Sequence, residues 1–255
     1  MKIVTTNLAL AITCILQFSV ASLHAAPAYV QSGYGECYPA STCNVDFGVP
    51  GISGVDVTPG NLIVVTIRTD TTNGPVGSVT SQPGSQTCSL GHRRESVVGF
   101  WLEVWYCANA RGGDTTVTVN VSGPPDQMRI VLDEYSGVAL SSPVEDTSSG
   151  TATGSTANAG NVTTAGDDRL IHVASATDSD PDSTTAGPGY TLHDLGPDPA
   201  GSDKTATQHR VAATAGSYGT TMNNVNDSWA AVAVVFAPAG PPTIRPAAPT
   251  QVTAQ

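Results

Sequence analysis

Val97-Val-Gly-Phe-Trp-Leu-Glu-Val-Trp-Tyr-Cys-Ala108 sets Phe100, Leu102, Val104 and Tyr106 against Trp101, Glu103, Trp105 and Cys107. Side chains of an extended chain alternate between two faces, so this run reads as a long β-strand. Met128, Ile130, Leu132 and Glu134 alternate in the same way with Arg129, Val131, Asp133 and Tyr135. Asn61–Arg68 follows the Pro59-Gly60 turn and is largely apolar on both faces, which fits a central strand covered on both sides or one with a semi-buried outer face. No segment carries a helical period long enough to propose a helix.

Working outward, strands are expected at Val76–Thr80, Thr115–Val121, Leu170–Ala176, Gly189–Leu192 and Trp229–Phe236. Gly/Pro turns such as Asn73-Gly74, Pro83-Gly84 and Pro124-Pro125 separate them. His209–Ala213 and Tyr218–Met222 read as a Thr-rich hairpin around Ala215-Gly216, and the Ser/Thr/Gly-rich 141–164 stretch reads as a long crossover with one weak edge strand. The expected fold is all-β: a two-sheet antiparallel β-sandwich, jelly-roll-like or immunoglobulin-like, stapled by disulfides.

A basic start at Lys2, an interrupted apolar run from Leu8 to Val20 and small residues at Ala25, Ala26 and Ala28 have the layout of a signal peptide over residues 1–25. The run is too short for a membrane span, which needs roughly 20 apolar residues. The body is expected over residues 28–238, followed by a Pro-rich linker at 239–249; residues 250–255 read either as the start of a further β domain resembling a fibronectin type III module or as a disordered tail. Without the leader's Cys14 the cysteines are Cys37, Cys43, Cys88 and Cys107. Exported chains oxidise such thiols, and of the three pairings open to four cysteines we expect Cys37–Cys43 and Cys88–Cys107.

The formal net charge is −11, with 10 basic and 21 acidic side chains. Such a surface repels phosphate backbones, so nucleic acid is not an expected partner. No Rossmann fingerprint or phosphate loop occurs, and Gly216-Ser-Tyr-Gly219 lacks the spacing of a nucleophile elbow.

Val104-Trp-Tyr-Cys-Ala-Asn109, Gly112-Gly-Asp-Thr-Thr-Val-Thr-Val119, Asp133-Glu-Tyr-Ser-Gly-Val138 and the Trp229–Phe236 strand resemble a group of secreted bacterial surface β-sandwich modules. In that group a "WYA-N" strand precedes a Thr/Val hairpin and an "EYSG" segment. The resemblance covers roughly residues 50–237 and implies location and module type. It carries no catalytic set. Cys107 departs from the pattern, standing where a small residue is expected, and a partner at Cys88 would serve as a local staple.

Several residues invite a functional reading beside a structural one. Glu103 and Glu134 could act as paired carboxylates on a glycosidic bond if about 5 Å or about 6.5–9.5 Å apart; the first reading is that strand carboxylates accept turn N–H groups. Trp101 and Trp105 share a face and could stack on sugar rings, or else fill the core. Asp178, Asp180 and Asp182 could offer hard oxygen ligands to a structural Ca²⁺, or else form a solvated acidic loop. His92-Arg93-Arg94-Glu95 is the one basic cluster; it could meet a carboxylate-bearing partner, or form a loop held by local ion pairs. His193 and His209 lack metal-like spacing. The expected role is a non-catalytic secreted or cell-surface module for adhesion, spacing or polymer binding, with an extracellular glycan as the partner; a secreted polysaccharide hydrolase is the alternative.

Overall fold

Strand β3 (Leu62–Asp70) is buried from Leu62 to Thr69, and everything else is layered about it. Leu62 and Val64 face one apolar cluster, while Ile63, Val65 and Ile67 face another. A strand apolar on both sides has to be covered on both sides, at about 1.5–3 kcal/mol for each aliphatic side chain removed from water. The computed structural model describes residues 25–47, 55–70, 74–113, 115–123, 127–178, 184–193 and 204–240, with Val225 by its backbone alone. The leader through residue 24, the Asn73 and Pro124-Pro125 turn positions, Asp180, Asp182 and residues 241–255 lie outside the described residues.

The chain is all-β and antiparallel, a disulfide-stapled sandwich as its alternation predicts. The middle sheet runs β1 (Ala28–Cys37), β9 (Met128–Ser136), β3, β7 (Phe100–Cys107) and β6 (Ser89–Glu95) in spatial order. A small sheet of β2 (Thr42–Asp46), β8 (Thr116–Asn120), β4 (Ser78–Ser81) and β5 (Gln86–Thr87) covers one face. There Val45, Val79, Val117 and Val119 meet Ile63, Val65, Trp105, Ile130 and Leu132. The opposite face packs on a third sheet ordered β10 (Val144–Thr164), β15 (Gly216–Phe236), β11 (Arg169–Thr177), β14 (Lys204–Ala212) and β13 (Thr191–His193), with β12 (Thr185–Ala186) paired to β15. Phe100, Leu102 and Val104 there meet Leu170, Ala174, Val232, Val234 and Phe236. No described helix is long and apolar enough to cross a membrane.

Both expected disulfides are formed, Cys37–Cys43 and Cys88–Cys107, with Cα separations of 5.8 and 4.4 Å. Each closes the chain where it passes between the middle and the small sheet: β1 to β2 in one case, the β5–β6 junction to β7 in the other. Three local expectations are corrected. His92–Glu95 is not a loop but the end of β6, an edge strand paired with β7. The 141–164 stretch is not a crossover; it contributes the 21-residue strand β10, paired along its length with β15. The 209–213 and 218–222 segments do not pair, because β14 bonds to β11 and β13 whereas the start of β15 bonds to β10.

The β10–β15 ribbon also folds back on itself. Gly150 has no room for a Cβ because the Asn158 carbonyl lies against it, and Gly160 passes close to Ser148. Ala157, Ala159 and Val162 thereby roof the outer face of the third sheet, over Ile171, Val173, Trp229 and Val235.

Candidate functional sites: buried polar networks and an edge groove

Glu103 and Glu134 do not form a catalytic pair. They lie opposite Ile67 and Ile63 on either side of β3, four residues apart in register. That places them about 13 Å apart along the strand and about 10 Å across, hence about 16 Å in all, too far to flank one bond. Both are fully buried. Glu134 accepts from Asn61 Nδ2 at 2.6 Å, the Thr58 amide at 2.9 Å and Gln31 Nε2 at 2.5 Å. Glu103 accepts from the Val76 amide at 2.6 Å and Trp105 Nε1 at 2.9 Å, with Arg93 Nη1 4.0 Å away. Burial pushes the Glu103 carboxyl up from the usual carboxylate range, against those hydrogen bonds. These are carboxylates that hold loops and a core indole in place.

The tryptophans part company too. Trp105 is core, packed with Cys107 and the valines of the small sheet, so the two-indole platform does not exist. Trp101 is half-buried at the rim.

The densest polar assembly is one that sequence spacing does not show. Asp133, fully buried on β9, points to the third sheet and accepts from His193 Nδ1 at 2.9 Å, Thr207 Oγ1 at 2.8 Å and the Ser32 hydroxyl. His193 Nε2 lies 2.7 Å from His209 Nδ1. With Asp133 accepting, the proton on neutral His193 sits on Nδ1, so Nε2 accepts from His209 Nδ1–H and His209 Nε2 keeps its lone pair. His172 bridges Tyr135 Oη and Thr66 Oγ1 through its two nitrogens, each at 3.2 Å. The Tyr29 ring covers His193 and His209 at centroid distances of 4.0 and 5.7 Å. Burial pushes His172 and His209 down to about 4. It pushes Asp133 up, but the His193 hydrogen bond, the neighbouring imidazoles and Ser32 outweigh it and hold the carboxyl below its ordinary value. With its members donating and accepting among themselves, the network joins β1, β9, β11, β13 and β14 and ties the middle sheet to the third. Among the described residues no three His, Cys, Asp or Glu side chains are arranged to hold a metal ion.

An open site among the described residues lies elsewhere. Arg93, Arg94, Glu95, Ser96 and Trp101 line a groove of about 400 Å³ at the end of β6, within the range of about 300–1,000 Å³ common to small-molecule sites. Register places Glu95 opposite Trp101 and Arg94 opposite Leu102. Ser96 shapes the floor: its hydroxyl accepts from the Gly99 and Phe100 amides and fixes the turn at 3.1 and 2.9 Å. Val97 and Val98 stand exposed beside it. Asp178 is half exposed, within 4.0 Å of Arg68; its proposed calcium partners lie outside the described residues. No family model, curated protein or solved structure matches the chain.

Proposed function

We propose that the chain is a non-catalytic module of a secreted or cell-surface protein, and that it recognises a carbohydrate or similar polymer at the Trp101 groove. The observation that carries this reading is the groove itself: an open cavity lined by one half-buried indole together with hydrogen-bonding and charged residues. No described residue hydrogen-bonds Trp101 Nε1, in contrast to Trp105 Nε1, which is engaged by Glu103. An amphipathic ring with a spare N–H suits a sugar, which offers C–H faces and hydroxyls together. The two disulfides support an oxidising compartment. The hydrolase reading loses its support with the separation and hydrogen bonding of Glu103 and Glu134.

Affinity electrophoresis or a glycan array tests the proposal. Trp101→Ala is expected to weaken retention by about tenfold or more, equivalent to about 1.4 kcal/mol, while Trp105→Phe leaves it unchanged in folded protein. Release of sugar from a bound polymer, abolished in Glu103→Gln or Glu134→Gln, would overturn the non-catalytic assignment.

A further inference from the structure

We infer that the first half of β1 is a strap over the His193–His209 pair, one that peels away in mild acid and bares the outer edge of β9. β1 forms one edge of the middle sheet. Its only contribution to the three apolar clusters is Cys37, at its far end. Gly33 is its one buried residue, and exposed Val30 bulges out of the ladder between Tyr29 and Gln31. Just before the strand, Pro27 is buried. What holds residues 28–32 is therefore mostly polar. Gln31 donates to Glu134, Ser32 donates to Asp133, and the Tyr29 ring lies on the two imidazoles. A segment with so little buried apolar surface opens locally at less cost than the whole fold. The Cys37–Cys43 disulfide ties the other end of the strand to β2, so the strap is hinged there.

The groups around His209 set the direction of the switch. Tyr29 faces it from β1, Asp133 and Tyr135 from β9, His172 from β11 and His193 from β13. Burial pushes both phenols up, so they stay neutral, and Asp133, held below its ordinary value, stays charged. Glu134 lies on the opposite face with Gln31, and Glu36 meets Arg129 at the far end of β1. His172 is sealed between Thr66 and Tyr135, so its titration belongs to the whole fold. His209 is the group that the strap controls. Burial, part of it supplied by the Tyr29 ring, holds this imidazole down to about 4. Lifting the ring hydrates it and returns it toward about 6.5. Between those values the open form binds more protons than the closed one. Each pH unit lost there favours opening by up to about tenfold. The Trp101 groove lies across the sheet, on β6 and β7, and takes no part.

Hydrogen exchange of the full chain tests this, read by mass spectrometry at pH 7.5 and 5.0 and corrected for intrinsic rates. Protection of residues 28–33 is expected to fall about tenfold or more in acid, relative to β3 and β7. His209→Gln keeps a donor for His193 Nε2 but not the titration, and should flatten that difference. Tyr29→Ala should open the strand already at pH 7.5 and raise the pH at which His209 titrates by NMR. Tyr29→Phe keeps the ring and should leave the His209 titration as in wild type. Exchange of residues 28–33 in step with β3 at both pH values overturns the strap. An undiminished acid response in folded His209→Gln overturns the histidine as its trigger. A His209 titration unmoved in Tyr29→Ala overturns the ring as its cover, whether or not the histidine variant folds.

Discussion

Glu134 shows what a charge inside this protein is for. Three donors converge on it from β1, from the turn before β3 and from Asn61 at the mouth of β3. Removing the acceptor leaves those donors stranded, and each buried orphan costs roughly 1–3 kcal/mol. Glu134→Ala should therefore lower stability by about 3 kcal/mol or more in urea titration, with Glu134→Gln intermediate and sugar binding unaffected in both once folded. At this scale the sequence was legible in part. Alternation correctly puts Asp133 and Glu134 on opposite faces; what it lacks is the third sheet, which covers the face opposite the small sheet, so that both faces are buried. The histidine network was hidden for a related reason. His172 and His209 are direct partners across β11 and β14, and His193 is diagonal to His209 on β13, contacts that exist only once the register is known. The available signal was a carboxylate in the middle of the apolar Ile130–Tyr135 run. In the same way, Trp101 and Trp105 share a strand face, but Trp105 lies under the small sheet while Trp101 reaches the margin, so one position is core and the other groove.

Among the elements, β10 is the least legible. Its Ser, Thr, Gly and Ala give no apolar alternation, and its stability comes from its partner, since Trp229–Phe236 of β15 supplies the side chains that fill the core on both faces. Small residues are what the folded-back ribbon needs, because two of its own segments stack where Gly150 meets the Asn158 backbone. Gly150→Ala has backbone as its obstacle, which no rotamer relieves. It should destabilise by about 2 kcal/mol or more, whereas Gly113→Ala, with nothing within 4 Å of its added methyl, is opposed only by its positive φ of 84°. Paired thermal melts compare them. β3, β7 and β9 were readable because their bulky alternating residues leave one solution for a strand.

For the molecule as a whole, acid is the expected weakness. His172 and His209 titrate near 4 when folded, against about 6.5 in an unfolded chain. The unfolded chain binds more protons between those values, so stability is fully present above about 6.5 and falls as pH drops toward 4. For the fully buried His172 this is on the order of 3 kcal/mol. Asp133, held low, extends the loss below the ordinary carboxylate pKa; Glu103, held high, opposes it, because its share is lost as pH rises through its folded value. Urea midpoints at pH 4.5 and 7.5 should differ in wild type and differ less in His172→Gln. A midpoint that does not move with pH would contradict this account.

The path of β15 has a consequence for biogenesis. The chain leaves the third sheet at Ala212, arches over its outer surface and re-enters beside β11 as Trp229–Phe236, between partners made long before. A ribosome delivers these residues last, so β10 and β11 have no common neighbour until synthesis has passed Phe236. A nascent polypeptide halted earlier presents two unpaired strand edges, of which that of β11 is apolar, the kind of surface that recruits chaperones or aggregates.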